Sequence, residues 1–160
     1  MLPDQLIGII GAGQCNPETH QIAYDVGQQL ARKGYGIVCG GKGGVMAAAC
    51  EGAKSLGGLT VGILPGTDQS AANAWVDIAI PTGMGDARNL IIIRSAIALI
   101  AISGEYGTLS EISFALKLQK PLIGIHTWQP IKPGQAQADF PLASNASDAV
   151  EWIESQLQQT

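Results

Sequence analysis

Charged side chains are scarce in this chain of 160 residues: Asp, Glu, Lys and Arg together make up 14 %, against roughly a quarter in average proteins. The nine basic residues are scattered among 13 acidic ones, giving a net charge of −4. No basic stripe is available to follow nucleic-acid phosphates, and no basic amphipathic helix to lie on a membrane surface. The longest apolar run, Leu90 to Ile102, is broken by Arg94 and Ser95. It falls short of the roughly 20 residues that a membrane span needs, and reads as a helix end followed by a buried strand, with Arg94 paired or snorkelling. The three cysteines, Cys15, Cys39 and Cys50, show no CxxC spacing and no histidine pair nearby, which argues against a metal site. Their odd number and the lack of a signal peptide fit a reducing cytoplasm. His20 and His126 are isolated and read as structural or surface residues. No Ser/His/Asp order or paired-carboxylate spacing stands out.

What is present is apolar sequence, 46 % of the chain, and 21 glycines, well above the ~7 % average. The glycines close apolar runs and show no collagen period, so they mark tight turns. Leu6 to Ile10, ended by Gly11-Ala12-Gly13, fits a strand buried on both faces, as in a parallel sheet. Pro17 to Lys33 has Ile22, Val26 and Leu30 at helical spacing, Pro17 suited to the first turn and Gly34 to the C-terminal cap. Tyr35 to Cys39 is a second strand, Val45 to Leu56 a second helix, and Leu59 to Leu64 a third strand. This alternation is the βαβ pattern, with right-handed crossovers. Thr67 to Ala74 is a polar loop and Trp75 to Ile80 a fourth strand. A helix starts near Asp86-Ala87-Arg88-Asn89. A fifth strand covers Ala96 to Ile102, a helix Leu109 to Leu118, and a sixth strand Leu122 to Ile125. Residues 128–144 read as a loop, and Ser147 to Gln158 as a closing amphipathic helix. The expected fold is α/β: a Rossmann-like, doubly wound, mostly parallel sheet flanked by helices, one domain over residues 1–160.

In an open parallel sheet, ligands gather outside the carboxyl ends of the strands. Four segments converge there: Gly11-Ala12-Gly13, the Gly40-Gly41-Lys42-Gly43-Gly44 loop, Gly83 to Asn89, and Ser103 to Glu111. Glycine lets backbone approach an anion closely, and the N–H groups of a following helix then point at it. Neither glycine loop completes a Walker or G-x-G-x-x-G motif, and the same glycines would serve as turns alone. Thr108 and Glu111 have capping-box spacing, a structural role. The functional alternative makes Glu111 a carboxylate at the mouth of the site, acting as general base or holding a sugar hydroxyl. Arg88 is placed to clamp a phosphate or pair with Glu111, or else to be a solvated surface residue. Lys42 reads as a phosphate contact or a solvated side chain, and no lysine is well placed for a pyridoxal phosphate Schiff base.

Gly40-Gly41-Lys42-Gly43-Gly44-Val45-Met46, then Glu51-Gly52-Ala53 and Gly57 to Pro65, together resemble the LOG-like superfamily. Its members include proteins long labelled lysine decarboxylases, the cytokinin-activating phosphoribohydrolases and the molybdenum-cofactor carrier proteins. Gly85-Asp86-Ala87-Arg88-Asn89 and Gly104-Glu105-Tyr106-Gly107-Thr108-Leu109-Ser110-Glu111 fit the second half of the same pattern, and the resemblance runs from about Leu6 to Ile125. The Asp86 to Asn89 wording and the short length are most similar to the carrier branch. The resemblance implies a homo-oligomer, dimer or tetramer, a phosphorylated small-molecule ligand, with molybdenum cofactor first, and no nucleic acid or membrane partner. It implies ligand contacts at Gly11, Gly13, Gly40 to Gly44, Met46, Asp86, Arg88, Asn89, Gly104, Tyr106, Gly107, Thr108 and Glu111, with no protein-ligated metal. In the hydrolases, the arginine and the glutamate of P-G-G-x-G-T-x-x-E act on the N-glycosidic bond of a nucleoside monophosphate. Arg88 and Glu111 occupy those positions, and would be catalytic only in a hydrolase. The chain departs from the hydrolase pattern at Ser103 and Glu105, which replace the motif's proline and second glycine. It departs again at Asn89 and at Ala96-Ile97. Three readings follow: a carrier, a phosphoribohydrolase, and a nucleotide sensor.

Overall fold

The apolar runs form six short strands: β1 (Leu6–Gly11), β2 (Gly36–Cys39), β3 (Thr60–Leu64), β4 (Ile78–Pro81), β5 (Ala98–Ile102) and β6 (Leu122–Ile125). In the computed structural model, which describes residues 3–159, all neighbouring strands pair in parallel in the order β4-β3-β2-β1-β5-β6. Five helices flank the sheet: α1 (Pro17–Arg32), α2 (Val45–Lys54), α3 (Arg88–Ser95), α4 (Tyr106–Lys117) and α5 (Ala146–Leu157). The two-residue period of a strand sends alternate side chains to opposite faces. Ile7, Ile9, Ile37, Cys39, Ala98, Ile100 and Ile102 pack under α1, α2 and α5. Ile10, Val38, Leu99 and Ala101 pack under α3 and α4. Both faces are therefore covered, which is why the strand sequences are continuously apolar rather than alternating. Among the described residues, no helix is long and apolar enough to cross a membrane.

The helix ends follow local chemistry. Asn16 caps α1 through its side-chain oxygen, 2.8 Å from the Thr19 N–H, and Pro17 occupies the first turn. Gly34 leaves the helix at φ 84°, a left-handed turn that glycine adopts without Cβ strain. Asn145 caps α5 in the same way, 2.9 Å from the Asp148 N–H.

The starts of three elements differ most from the sequence reading. β4 starts at Ile78 rather than Trp75, because Thr60 ties down the residues before it. The Thr60 hydroxyl donates to the Trp75 carbonyl and the Asp77 N–H donates to the Thr60 carbonyl. β5 starts at Ala98, since Ala96 is the C-cap of α3. The helix α4 starts at Tyr106, three residues ahead of its expected first residue, with Glu105 as its N-cap and no side-chain capping bond. The Thr108–Glu111 capping box therefore does not form: Thr108 already lies inside the first turn. Arg94 is exposed rather than paired in the apolar run. The segment 128–144 is irregular apart from one bridge between Gly124 and Leu142.

The helices α1 and α2 touch backbone to backbone. A Cβ on Gly27 would collide with the Ala49 carbonyl oxygen and lie 2.9 Å from the Ala53 nitrogen, and one on Gly52 would collide with the Tyr24 carbonyl oxygen. Overpacking of this kind costs about 1–3 kcal/mol or more when the obstacle is backbone. Gly27→Ala is expected to lower unfolding stability by at least about 2 kcal/mol. Gly13→Ala, which meets nothing within 4 Å, is expected to change it by less than about 0.5 kcal/mol. Urea titration of the two variants checks the contrast; equal stabilities would show that α1 and α2 can separate without loss.

Candidate functional site

The chain runs outward from β1 through β2 and β3 to β4, then returns to place β5 on the other side of β1. The strand order reverses between β1 and β5, and at such a switch point the loops leave the sheet in opposite directions and open a crevice. A cleft of about 240 Å³ lies there, at the carboxyl ends of the strands. Gly11, Ala12 and Gly13 form its floor with Ile9 and Ile10; Gly40 and Met46 come from the β2 side, and Asp86, Arg88 and Asn89 from the segment after β4. Glu105, Gly107, Thr108 and Glu111 come from the start of α4.

Glycine is required where the two halves of this cleft meet. A Cβ at Gly44, whose φ is 62°, would strike the Ala12 carbonyl oxygen, and one at Gly11 would strike the Ile102 carbonyl oxygen. This closeness lets the Val45 N–H donate to the Ala12 carbonyl at 2.9 Å. The start of α2 is thereby locked to the loop after β1. Gly40 leaves its space to Arg88 and Met46: a Cβ there would sit 2.8 Å from Arg88 Nη2 and 2.9 Å from Met46 Sδ.

At the start of α4, Gly104 turns the chain at φ 106° with the Thr108 side chain folded over it. The first intrahelical bond runs from the Leu109 N–H to the Glu105 carbonyl at 3.0 Å. The N–H groups of Tyr106, Gly107 and Thr108 therefore precede the helical ladder, as the first donors of any helix do. They carry the positive end of the α4 dipole, and Gly107 among them lines the cleft with no neighbour within 4 Å of a Cβ position.

Arg88 is held from within the protein. Its Nε donates to the Ile63 carbonyl at 2.9 Å, and its Nη1 to Asn89 Oδ1. Asn89 is buried and passes the chain on, its amide donating to Ser110 Oγ at 3.2 Å. Ion pairs among the described residues join His20 to Glu51, Lys33 to Glu154 and Lys54 to Asp77; none joins Arg88 to Glu111. Glu111 is 8 % exposed. Burial pushes its carboxyl up to about 7, against the pull of the positive Arg88 nearby.

Of the residues singled out from sequence, Gly11, Gly13, Gly40, Met46, Asp86, Arg88, Asn89, Gly107, Thr108 and Glu111 line one cleft. Gly41, Lys42, Gly43, Gly44, Gly104 and Tyr106 do not. Gly41, at φ 73°, packs on Gly62 and Leu64, while the Lys42 carbonyl accepts from Asn73 Nδ2 at 2.9 Å. The Tyr106 ring is 76 % exposed and rests 5.6 Å from that of Trp128. Glu105, which stands in place of the motif's second glycine, also lines the cleft. Ile9 and Ile10 line it without having been expected. Their glycine-bounded strand end was visible, but apolar periodicity does not say which buried residues reach a crevice. Cys39 and Cys50 are buried with their sulfurs 3.7 Å apart, and His126 is exposed.

Comparison with known proteins gives one consistent picture. The SLOG cluster4 family model matches residues 4–154. An uncharacterized protein of Archaeoglobus fulgidus is 55 % identical over 111 residues, 69 % of this chain and 73 % of that one. The structure of the molybdenum cofactor binding protein from the phototrophic bacterium Rippkaea orientalis superposes with a TM-score of 0.87 at 36 % identity, over 98 % of this chain and 99 % of that one. The Moco carrier protein from Chlamydomonas reinhardtii superposes at 0.85 with 32 % identity over the whole of both chains. DNA processing protein A from Helicobacter pylori, at 19 % identity and a TM-score of 0.69 over 96 % of this chain and 82 % of that one, shares the fold alone.

The raised Glu111 pKa has a stability consequence. Its folded value of about 7 lies above the ordinary 4.5, so the native state holds the proton more tightly than the unfolded chain. Full stability is present below pH 4.5 and is lost as pH rises toward 7, where the buried charge costs about 3 kcal/mol. Glu111→Gln removes the titration. The variant is expected to match the parent at pH 4.5 and to exceed it in melting temperature at pH 8.5. Thermal melts at the two pH values test this, and a stability difference independent of pH would contradict it.

Proposed function

The chain belongs to the SLOG cluster4 family, and from that premise we propose that it is a carrier that binds molybdenum cofactor through its phosphorylated pterin and does not turn it over. The observation that carries this reading is the cleft at the strand-order reversal, where α4 begins with open N–H groups and a bare Gly107. That combination suits a phosphate, which gains backbone donors and the helix dipole at once. The likeness to solved proteins named for binding or carrying this cofactor supports the choice of ligand. Gly13, where a Cβ would meet nothing within 4 Å, leaves backbone open for the body of the ligand. Among the described residues, no cluster of three or more His, Cys, Asp or Glu side chains is arranged to hold a metal ion. The protein's contacts in this reading are therefore with the organic part of the cofactor.

Arg88 enters as a positioning residue. Two of its donors are spent on Ile63 and Asn89, which fixes the guanidinium at the cleft wall as a local positive charge. A phosphoribohydrolase acting on a nucleoside 5′-monophosphate is the second reading, favoured by one feature. Glu111 faces the cleft with a carboxyl near pH 7, the range that serves general acid–base chemistry on a glycosidic bond. In that reading Glu111 and Arg88 are catalytic, and free base and ribose 5-phosphate are the products.

The carrier reading includes a cytoplasmic homo-oligomer. The edge strand β4 exposes Ile78 and Ile80, with Met84 just beyond it, and apolar exposure on an unpaired edge marks an association surface. Light scattering is expected to find a mass above that of one chain, and Ile78→Lys to reduce it; a monomeric parent would remove this part of the proposal.

The central test is incubation of the purified protein with molybdenum cofactor and, separately, with AMP, GMP and CMP, followed by chromatography of ligand and products. Cofactor retained intact with no base release is the expected outcome. Gly107→Glu is expected to weaken retention at least about tenfold, since it brings a carboxylate to the phosphate position. An acidic residue in a helix's first turn is stabilising, so that loss would not come from unfolding. Base release that disappears in Glu111→Gln would replace the carrier with the hydrolase.

A further inference from the structure

Among the described residues none donates a hydrogen bond to Glu111: its neighbour Arg88 donates to Ile63 and Asn89, and Asn89 donates to Ser110. Among the described residues no fully enclosed side-chain nitrogen or oxygen lacks a partner. The carboxylate oxygens of Glu111 therefore open onto the cleft that it lines, although the residue is 8 % exposed. A buried carboxylate offers acceptors only, so a ligand that fits must bring donors to meet them.

The surroundings say which donors. The lining beside this carboxylate combines the backbone of Gly40 and of the β1 end at Ile9 and Ile10, whose side chains are buried in the core, with the Met46 thioether. A thioether and bare backbone favour the face of a flat ring. We propose that Glu111 reads the edge of a flat heterocycle, and that the cleft selects rings with a 2-amino-4-oxopyrimidine edge, as in pterins and guanines. Such an edge presents a ring N–H and an exocyclic N–H side by side, matching the two carboxylate oxygens as a guanidinium does. This deepens the carrier reading and rests on it only for a phosphorylated heterocycle in the cleft. A ribose diol is the other donor pair that carboxylates commonly hold; the Met46 thioether favours the ring.

The test uses GMP, IMP, AMP and ribose 5-phosphate, titrated calorimetrically into the full chain at pH 8, where Glu111 is ionised. IMP differs from GMP only in lacking the exocyclic amino group, and the two share phosphate and ribose. GMP is expected to bind at least about tenfold more tightly than IMP, the usual penalty for leaving a buried charged acceptor unmet. AMP, with no such edge, is expected to be weaker still. Glu111→Gln keeps the shape but replaces one acceptor by a donor, and should bring the GMP-to-IMP ratio close to one. Ribose 5-phosphate should bind the variant at least as tightly as the parent, since a negative charge has left the cleft, which shows that the cleft is intact. Equal affinity for GMP and IMP, a GMP preference that survives in the variant, or no nucleotide binding at all would overturn the inference. Equal affinities with molybdenum cofactor still retained would sink the edge reading alone. A GMP preference without cofactor retention would sink the carrier reading alone.

Discussion

Backbone touches backbone in four places, each kept open by a glycine. The helices α1 and α2 close on one another through Gly27 and Gly52; the loop after β1 meets β5 through Gly11 and the loop after β2 through Gly44. These contacts form a connected set. Close packing of α1 against α2 fixes where both helices begin, and the Val45 N–H bond to the Ala12 carbonyl fixes the two glycine loops against each other. The cleft floor is the place where those loops meet. Its shape therefore depends on a helix contact more than one helical turn away, through atoms that cannot adapt by changing rotamer. The conformational entropy that glycine adds to the unfolded chain is the cost of this arrangement. The 46 % apolar content and the fully covered sheet offset it.

Electrostatics in the cleft follow from that rigidity. With Gly40 holding open the space for its guanidinium, Arg88 lies against the sheet end and bonds to Ile63 and Asn89. A guanidinium spent in this way supplies a fixed field, with less freedom to swing onto a ligand. Asp86, Glu105 and Glu111 set three carboxyl groups against it in the same cleft. A dianionic phosphate is disfavoured beside Asp86 and Glu111; at the start of α4 the N–H groups and the helix dipole favour it, against the charge of Glu105 at the N-cap. The donor-bearing part of a ligand has the opposite preference. In the proposed reading the cleft is therefore polarised, with the phosphate at Gly107 and the donor edge of the ligand at Glu111.

The fold was legible in the sequence because most strands are short apolar runs closed by glycine or proline, and coverage of both faces makes the central runs continuous. Leu122 to Ile125 is found at the expected residues, and Pro17 and Gly34 bound the first helix as their chemistry requires. The start of α4 was not legible. Thr108 followed by Glu111 has the spacing of a capping box, but Gly104 at φ 106° turns the chain early enough for the helix to begin at Tyr106. That shift moves Glu111 from a cap to the cleft wall. Lys42 illustrates the converse. It sits inside the most conspicuous glycine run, yet Gly41 packs on Gly62, and Asn73 holds the Lys42 carbonyl, so the loop is anchored to β3 and its neighbours rather than aimed inward. Glycine density shows that a turn is tight and leaves open which way it faces.

The departures from the hydrolase motif acquire a common sense once placed in space. Asn89, standing where the hydrolases have a basic residue, is buried and bonded to both Arg88 and Ser110. It joins α3 to α4 across the cleft and takes up a guanidinium donor. Glu105, in place of a glycine, brings a negative charge to the rim. Both changes lower the positive charge free to act on a glycosidic bond as it breaks, and both leave the backbone N–H groups at the start of α4 in place. Catalysis depends on charge stabilisation that is greater in the transition state than in the ground state; retention depends only on the ground state. A cleft that keeps its backbone donors while tying down its one arginine keeps what holding requires and weakens what cleavage requires. This is the physical reason for ranking the carrier above the hydrolase.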